Sequence, residues 1–172
     1  MLIESLLKRI GMFFVFVLAQ AMVLGHIHLF DYATPLLYVY FVLSFPRNYP
    51  KWAILLWSFA LGLVIDIFSN TPGVAAASMT LIGVLQPYIF ELFISRDAAE
   101  NLQPSLRSIG LAKFFYYSVF LVVLYCIVFY TLEIFNLHDI MEWVKCVCGS
   151  AAITLVLILT FESFKANTHE GS

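Results

Sequence analysis

Apolar residues along the chain fall into six runs separated by short polar breaks, at about 10–29, 35–45, 51–68, 73–94, 110–132 and 143–163. Five of these reach or approach the ~20 residues that a membrane-spanning helix needs. The second, "PLLYVYFVLSF" from Pro35 to Phe45, holds only 11 residues. As a helix it would cover roughly 17 Å of a ~30 Å hydrocarbon layer. The pattern predicts an all-α chain, residues 1–172, forming a single domain of six transmembrane helices. The second helix is expected to cross halfway or to be shielded by its neighbours.

Composition decides which solvent these runs face. Hydrophobic residues make up 62% of the 172 positions and charged residues 12%, about half the charged share of an ordinary soluble domain. A soluble fold of this size could not hide so much apolar surface, so the excess must face lipid. The net charge of −2 and the absence of a basic stripe argue against a nucleic-acid partner. The start, "KRIGMFFVFVLAQA", has the outline of a cleavable signal. Its apolar run continues through "MVLGHIHLF", which predicts a retained first helix.

Lysine and arginine set the orientation. With six crossings, Lys8, Arg9, Arg47, Lys51, Arg96, Arg107, Lys113 and Lys165 share one side, and only Lys145 takes the other. That bias predicts cytoplasmic N- and C-termini. The outer side then carries Asp31, Glu133, Asp139 and Glu142, with Trp143 as an anchor at the boundary. The longest polar piece, "SRDAAENLQPSLRS" at 95–108, reads as a solvated cytoplasmic connector or a docking surface.

Within this apolar frame one stretch carries unusual polarity. In "GLVIDIFSNTPG", Asp66 interrupts the third run. Ser58, Gly62 and Asp66 recur at four-residue spacing and stack on one helix face, and Asn70 continues the line into the turn. On the fourth run Gly73, Ala76, Thr80, Gly83, Pro87 and Glu91 recur at spacings of three and four. Small faces let helix backbones approach closely in lipid. Helices three and four are therefore expected to form a close hairpin, or to present a groove to a third helix. Asn70 or Thr71 is expected to cap the fourth helix, with Pro72 in its first turn, and Pro87 to bend it.

An aspartate in a membrane helix is costly and faces protein or water. Three roles remain open for Asp66: capping the turn, contacting a partner helix, or relaying an ion or proton. Glu91 lies near the cytoplasmic end, within reach of Arg96 or water. Gln20, His26 and His28 read as interfacial hydrogen-bonding residues, and Lys145 as a snorkelling side chain. His138, Asp139 and Glu142 form a metal trio on paper, but a short outer loop more simply reads as a solvated cap. Cys126, Cys146 and Cys148 read as small packing residues. No nucleophile elbow, zinc-protease motif, phosphate-binding loop or serine–histidine–acid set occurs, so no enzymatic activity and no cofactor are expected.

The basic N-terminus, the short second segment and "WSFALGLVIDIFSNTPGVAAASMTLIGVLQPYIFELF" at 57–93 resemble the rod shape-determining membrane protein MreD family. The family's Gly-Leu-x-x-Asp-x-Phe stretch, followed by a glycine that opens the next helix, falls on Gly62, Leu63, Asp66, Phe68 and Gly73. The resemblance implies a non-enzymatic component of the bacterial inner membrane, part of the cell-elongation machinery. Its expected partners are the single-span protein MreC and, indirectly, MreB filaments and the peptidoglycan synthase pair of RodA and its penicillin-binding transpeptidase. The implied fold is similar to the six-helix substrate-binding subunits of energy-coupling-factor transporters. The expected partner-helix groove comprises Ser58, Gly62, Asp66, Phe68, Asn70, Gly73, Ala76, Thr80, Gly83 and Pro87. The alternative reading is a small-molecule, vitamin-type substrate-binding subunit.

Overall fold

A computed structural model describes residues 2–23, 38–70, 72–133 and 139–168. These residues form helices α1 (Leu2–Leu18), α2 (Val39–Leu43), α3 (Lys51–Ser69), α4 (Val74–Phe93), α5 (Leu106–Ile109), α6 (Leu111–Glu133) and α7 (Ile140–Thr168), with a π-helical turn, Ala19–Val23, extending α1. Four of them, α3, α4, α6 and α7, are long and apolar enough to cross a membrane. Exposed apolar side chains such as Leu56, Ile67, Phe120 and Val156 cover their outer faces. Such a surface is stable against hydrocarbon rather than water, and the chain is a membrane protein on that ground.

The packing pairs α3 with α4 and α6 with α7, and α4 also lies against α6. The short second run ends up inside this arrangement. Tyr38–Leu43 and Phe45 are all buried, surrounded by residues of α1, α3, α4, α6 and α7. Of the two options for this segment, the described part is the shielded one. At about 1.5 Å per residue, α2 rises only ~8 Å. It stops at Leu43 because Pro46 disfavours helical backbone at Phe45.

A helix that ends inside an apolar bundle leaves carbonyls that water cannot reach, so side chains must serve them. Tyr117 donates its hydroxyl to the Leu43 carbonyl at 3.1 Å. Gln86 Nε2 donates to the Phe45 carbonyl at 3.2 Å and to Tyr117 Oη at 3.0 Å. Ser44 Oγ bonds back to the Phe41 carbonyl at 2.8 Å. Buried polar side chains of α4 and α6 thus hold the broken helix in place. The hydroxyls of Tyr38 and Tyr125 pair with each other, and Tyr40 donates to Glu162 on α7.

The helix limits differ from the sequence expectation in instructive ways. The first helix starts at Leu2 rather than near 10, and α7 runs Ile140–Thr168 rather than 143–163. Hydropathy marks where hydrocarbon ends, whereas a helix continues through polar flanks such as "ESLLKR" until something stops it. The 95–108 segment is more than a solvated connector. Ser105 and Ser108 close a capping box around the single turn α5, and Leu102, Leu106 and Ile109 pack on the core. The Arg47 amide donates to the Leu102 carbonyl and Arg47 Nη1 to the Ala98 carbonyl, each at 3.0 Å. Trp143 packs against the core, while Lys145 is exposed. His26, His28, Asp31, Thr71 and His138 lie outside the described residues.

Candidate functional site at the α3–α4 hairpin

The turn between α3 and α4 is built by two left-handed residues. Asn70 ends α3 at φ 56°, and its amide donates to the Asp66 carbonyl. Gly73 sits at φ 82° directly before α4, a conformation open to glycine at little cost. Pro72 stands in the turn ahead of Gly73 rather than in the first turn of α4. Neither Asn70 nor Gly73 caps α4 with a side chain.

The cap comes from the preceding helix. Asp66 Oδ1 accepts the Ala75 amide at 2.8 Å, and Oδ2 accepts the Ala76 amide at 3.0 Å. Both donors belong to the first turn of α4, whose amides have no partners within their own helix. Their dipole also favours a carboxylate at this end. Of the three roles open in the sequence, the structure supplies the cap, served from across the hairpin. The carboxylate itself is buried, at 5% exposure.

Below the cap the two backbones touch. A Cβ added at Gly62 would lie 2.6 Å from Ala76 Cα, 2.7 Å from the Ala75 carbonyl oxygen and 2.8 Å from Ala76 N. A Cβ at Gly83 would lie 2.6 Å from Ser58 Oγ, and that hydroxyl is turned back onto the Ile54 carbonyl at 2.7 Å. Both stripes of small residues therefore meet at these two points. Ser58, Gly62, Ala76 and Gly83 are buried between the helices, whereas Phe68, Asn70 and Gly73 are exposed. Thr80 is half-buried and bonds the Ala76 carbonyl. Pro87 is buried inside a helix that continues past it to Phe93.

Close approach leaves a shallow apolar groove of about 580 Å³ on the outer face of the hairpin. Phe59 and Leu63 line it from α3, and Ala76, Ala77, Thr80 and Leu81 from α4, with Gly73 at its turn end. Of the ten expected groove residues, Gly73, Ala76 and Thr80 face this space. Gly62, Gly83 and Ser58 create it indirectly by drawing the helices together.

A second buried carboxyl escaped the sequence reading. Glu162 on α7 is 2% exposed and accepts the Tyr40 hydroxyl. It ends a four-residue progression of Cys146, Ser150, Thr154 and Ile158, all buried, and Ser150 Oγ pairs with Tyr130 Oη at 2.5 Å. That spacing was the available signal. At the other end of α2, Arg9 of α1 is largely buried, its guanidinium 4.4 Å from the Phe45 ring centre and 4.5 Å from that of Tyr49. Neither a family model, nor a curated protein, nor a solved structure matches this chain.

Proposed function

We propose that this chain is a non-enzymatic scaffold of the bacterial cell-elongation machinery. It sits in the inner membrane with both termini cytoplasmic, and seats the transmembrane helix of a single-span, MreC-like partner. Through that partner it helps couple MreB filaments to the RodA and penicillin-binding synthase pair. One observation carries the reading. The stretch that resembles the MreD family folds into a hairpin whose outward face is a shallow, small-residue groove bounded by Phe59, Leu63 and Leu81. Apolar side chains find no hydrophobic drive toward one another in lipid, so a groove that admits close backbone approach is what favours a guest helix.

The test must alter the groove without disturbing the hairpin. Ala77 lines the groove and is exposed, so Ala77→Trp fills the space while leaving the Gly62 contact intact. Extraction of the tagged protein in mild detergent and native mass spectrometry should show a stoichiometric single-span companion. That companion should be lost from Ala77→Trp while the variant keeps its melting temperature. A bound vitamin-sized mass with no protein companion would overturn the scaffold reading in favour of a substrate-binding subunit. Undiminished capture by Ala77→Trp would remove the groove from it.

A further inference from the structure

Two adjoining depressions of about 500 and 510 Å³ open where α4 ends. They share Arg47, Glu91 and Arg96. The first extends along Tyr88, Ile89 and Leu92, of which Leu92 is 81% exposed on the outer surface of the helix. The second extends the other way, to Asp97 and Glu100 in the polar loop. The two depressions therefore share a mixed centre of Arg47, Arg96 and Glu91, with apolar residues on one side and Asp97 and Glu100 on the other.

Arg47 is held for a purpose its own fold does not exhaust. One donor, Nη1, is spent on the Ala98 carbonyl at 3.0 Å, which fixes the planar group, and a guanidinium carries five donors. Beside it, Lys51 Nζ lies 4.2 Å from the ring centre of Tyr88, adding a cation at the border between the apolar wall and the arginines. A basic recess at the edge of membrane helices is suited to a phosphate headgroup, and paired arginines match phosphate oxygens by geometry as well as charge. A simple anion would nevertheless meet Glu91, Asp97 and Glu100. A headgroup with phosphate followed by an ammonium would meet each group with its complement.

We infer that this recess is a binding site for an aminophospholipid of the phosphatidylethanolamine type. Acyl chains lie along Tyr88 and Leu92, the phosphodiester sits between Arg47 and Arg96, and the ammonium faces Glu91, Asp97 and Glu100. The inference is independent of the partner-helix reading, which concerns the opposite end of α4.

Native mass spectrometry of the full-length, delipidated protein titrated with chain-matched phosphatidylethanolamine and phosphatidylglycerol tests it. Phosphatidylethanolamine should be retained several-fold better. Arg96→Gln, at an exposed position, should reduce that retention about fivefold while helix content by circular dichroism stays unchanged. Arg47→Gln should do the same but also loosen the loop, so the Arg96 variant is the decisive one. Asp97→Asn with Glu100→Gln should raise phosphatidylglycerol at least to parity. Equal or better retention of phosphatidylglycerol by the native chain would overturn the site. Phosphatidylethanolamine retention unaffected by Arg96→Gln would do so as well. An acid-to-amide variant with unchanged preference would overturn the assigned ammonium position.

Discussion

Gly62→Ala adds a single methyl group, and the structure sets what that methyl must do. Its carbon would lie 2.6 Å from Ala76 Cα and 2.8 Å from Ala76 N, whereas non-bonded carbons settle near 3.5–4.0 Å. Every obstructing atom is backbone, so no rotamer change relieves the clash, and α3 must move from α4 by about 1 Å. Asp66 lies one turn along the same helix and moves with it. Its bonds to the Ala75 and Ala76 amides, at 2.8 and 3.0 Å, then stretch past the ~3.5 Å limit of a hydrogen bond. Overpacking costs about 1–3 kcal/mol. Buried amides left without acceptors cost about 1–3 kcal/mol more.

Equilibrium unfolding in mixed micelles, followed by tryptophan fluorescence, should therefore show Gly62→Ala destabilised by about 2–6 kcal/mol. The decisive feature is coupling. Asp66→Ala removes the same two hydrogen bonds, so the double variant should lose about 1–3 kcal/mol less than the sum of the two single losses. A Gly62→Ala protein as stable as the native one would refute the close contact. Strictly additive losses would refute the link between that contact and the cap.

Two further outcomes follow from neighbouring geometry. Gly83→Ala meets a serine hydroxyl at 2.6 Å rather than backbone, so it should cost less than Gly62→Ala, and adding Ser58→Ala should recover part of the loss in the same unfolding assay. Tyr40→Phe removes the hydroxyl that Glu162 accepts and should destabilise the fold by about 1–3 kcal/mol. Glu162→Leu in that background should restore part of the stability, because two apolar partners cost less than one orphaned polar group.

The limits of α3, α4 and α6 were legible because something in the sequence stops each helix. Pro50 precedes α3, Gly73 separates α3 from α4, and Gly110 precedes α6, so hydropathy and backbone chemistry agree there. For α1 and α7 they disagree, since hydropathy falls before the helix does. The close hairpin could be foreseen from Ser58, Gly62 and the spacing on α4, because a stripe of small residues has meaning only where another backbone approaches. The source of the α4 cap was harder to foresee. Capping rules look to the residues just before a helix, whereas here the acceptor comes from a full turn back inside α3. Glu162 was hidden for a different reason. It sits three residues from Lys165 near the polar end of its run, where a carboxyl reads as solvated unless the buried progression from Cys146 is traced.

These placements bear on how the protein can recognise anything. Asp66 and Glu162 are polar groups that a bare hydropathy profile would offer as recognition points, and each is already committed: one to the amides of α4 and one to Tyr40. Buried groups of this kind lower the cost of their own burial by bonding to the fold, and they are then not available to a guest without leaving a donor or acceptor behind. Selectivity must therefore come from surfaces where such commitments are absent. On the hairpin that surface is apolar and shaped by small residues, so the proposed partner helix would be discriminated by how closely its backbone can approach rather than by charge. At the Arg47–Arg96 end the surface is ionic, so the proposed lipid there would be discriminated by its charges. The two surfaces flank the same helix, α4, whose first turn is pinned by Asp66 and whose middle is pinned by Gln86. A helix held at both points can present the two faces in a constant register, which is the property the proposed scaffold requires.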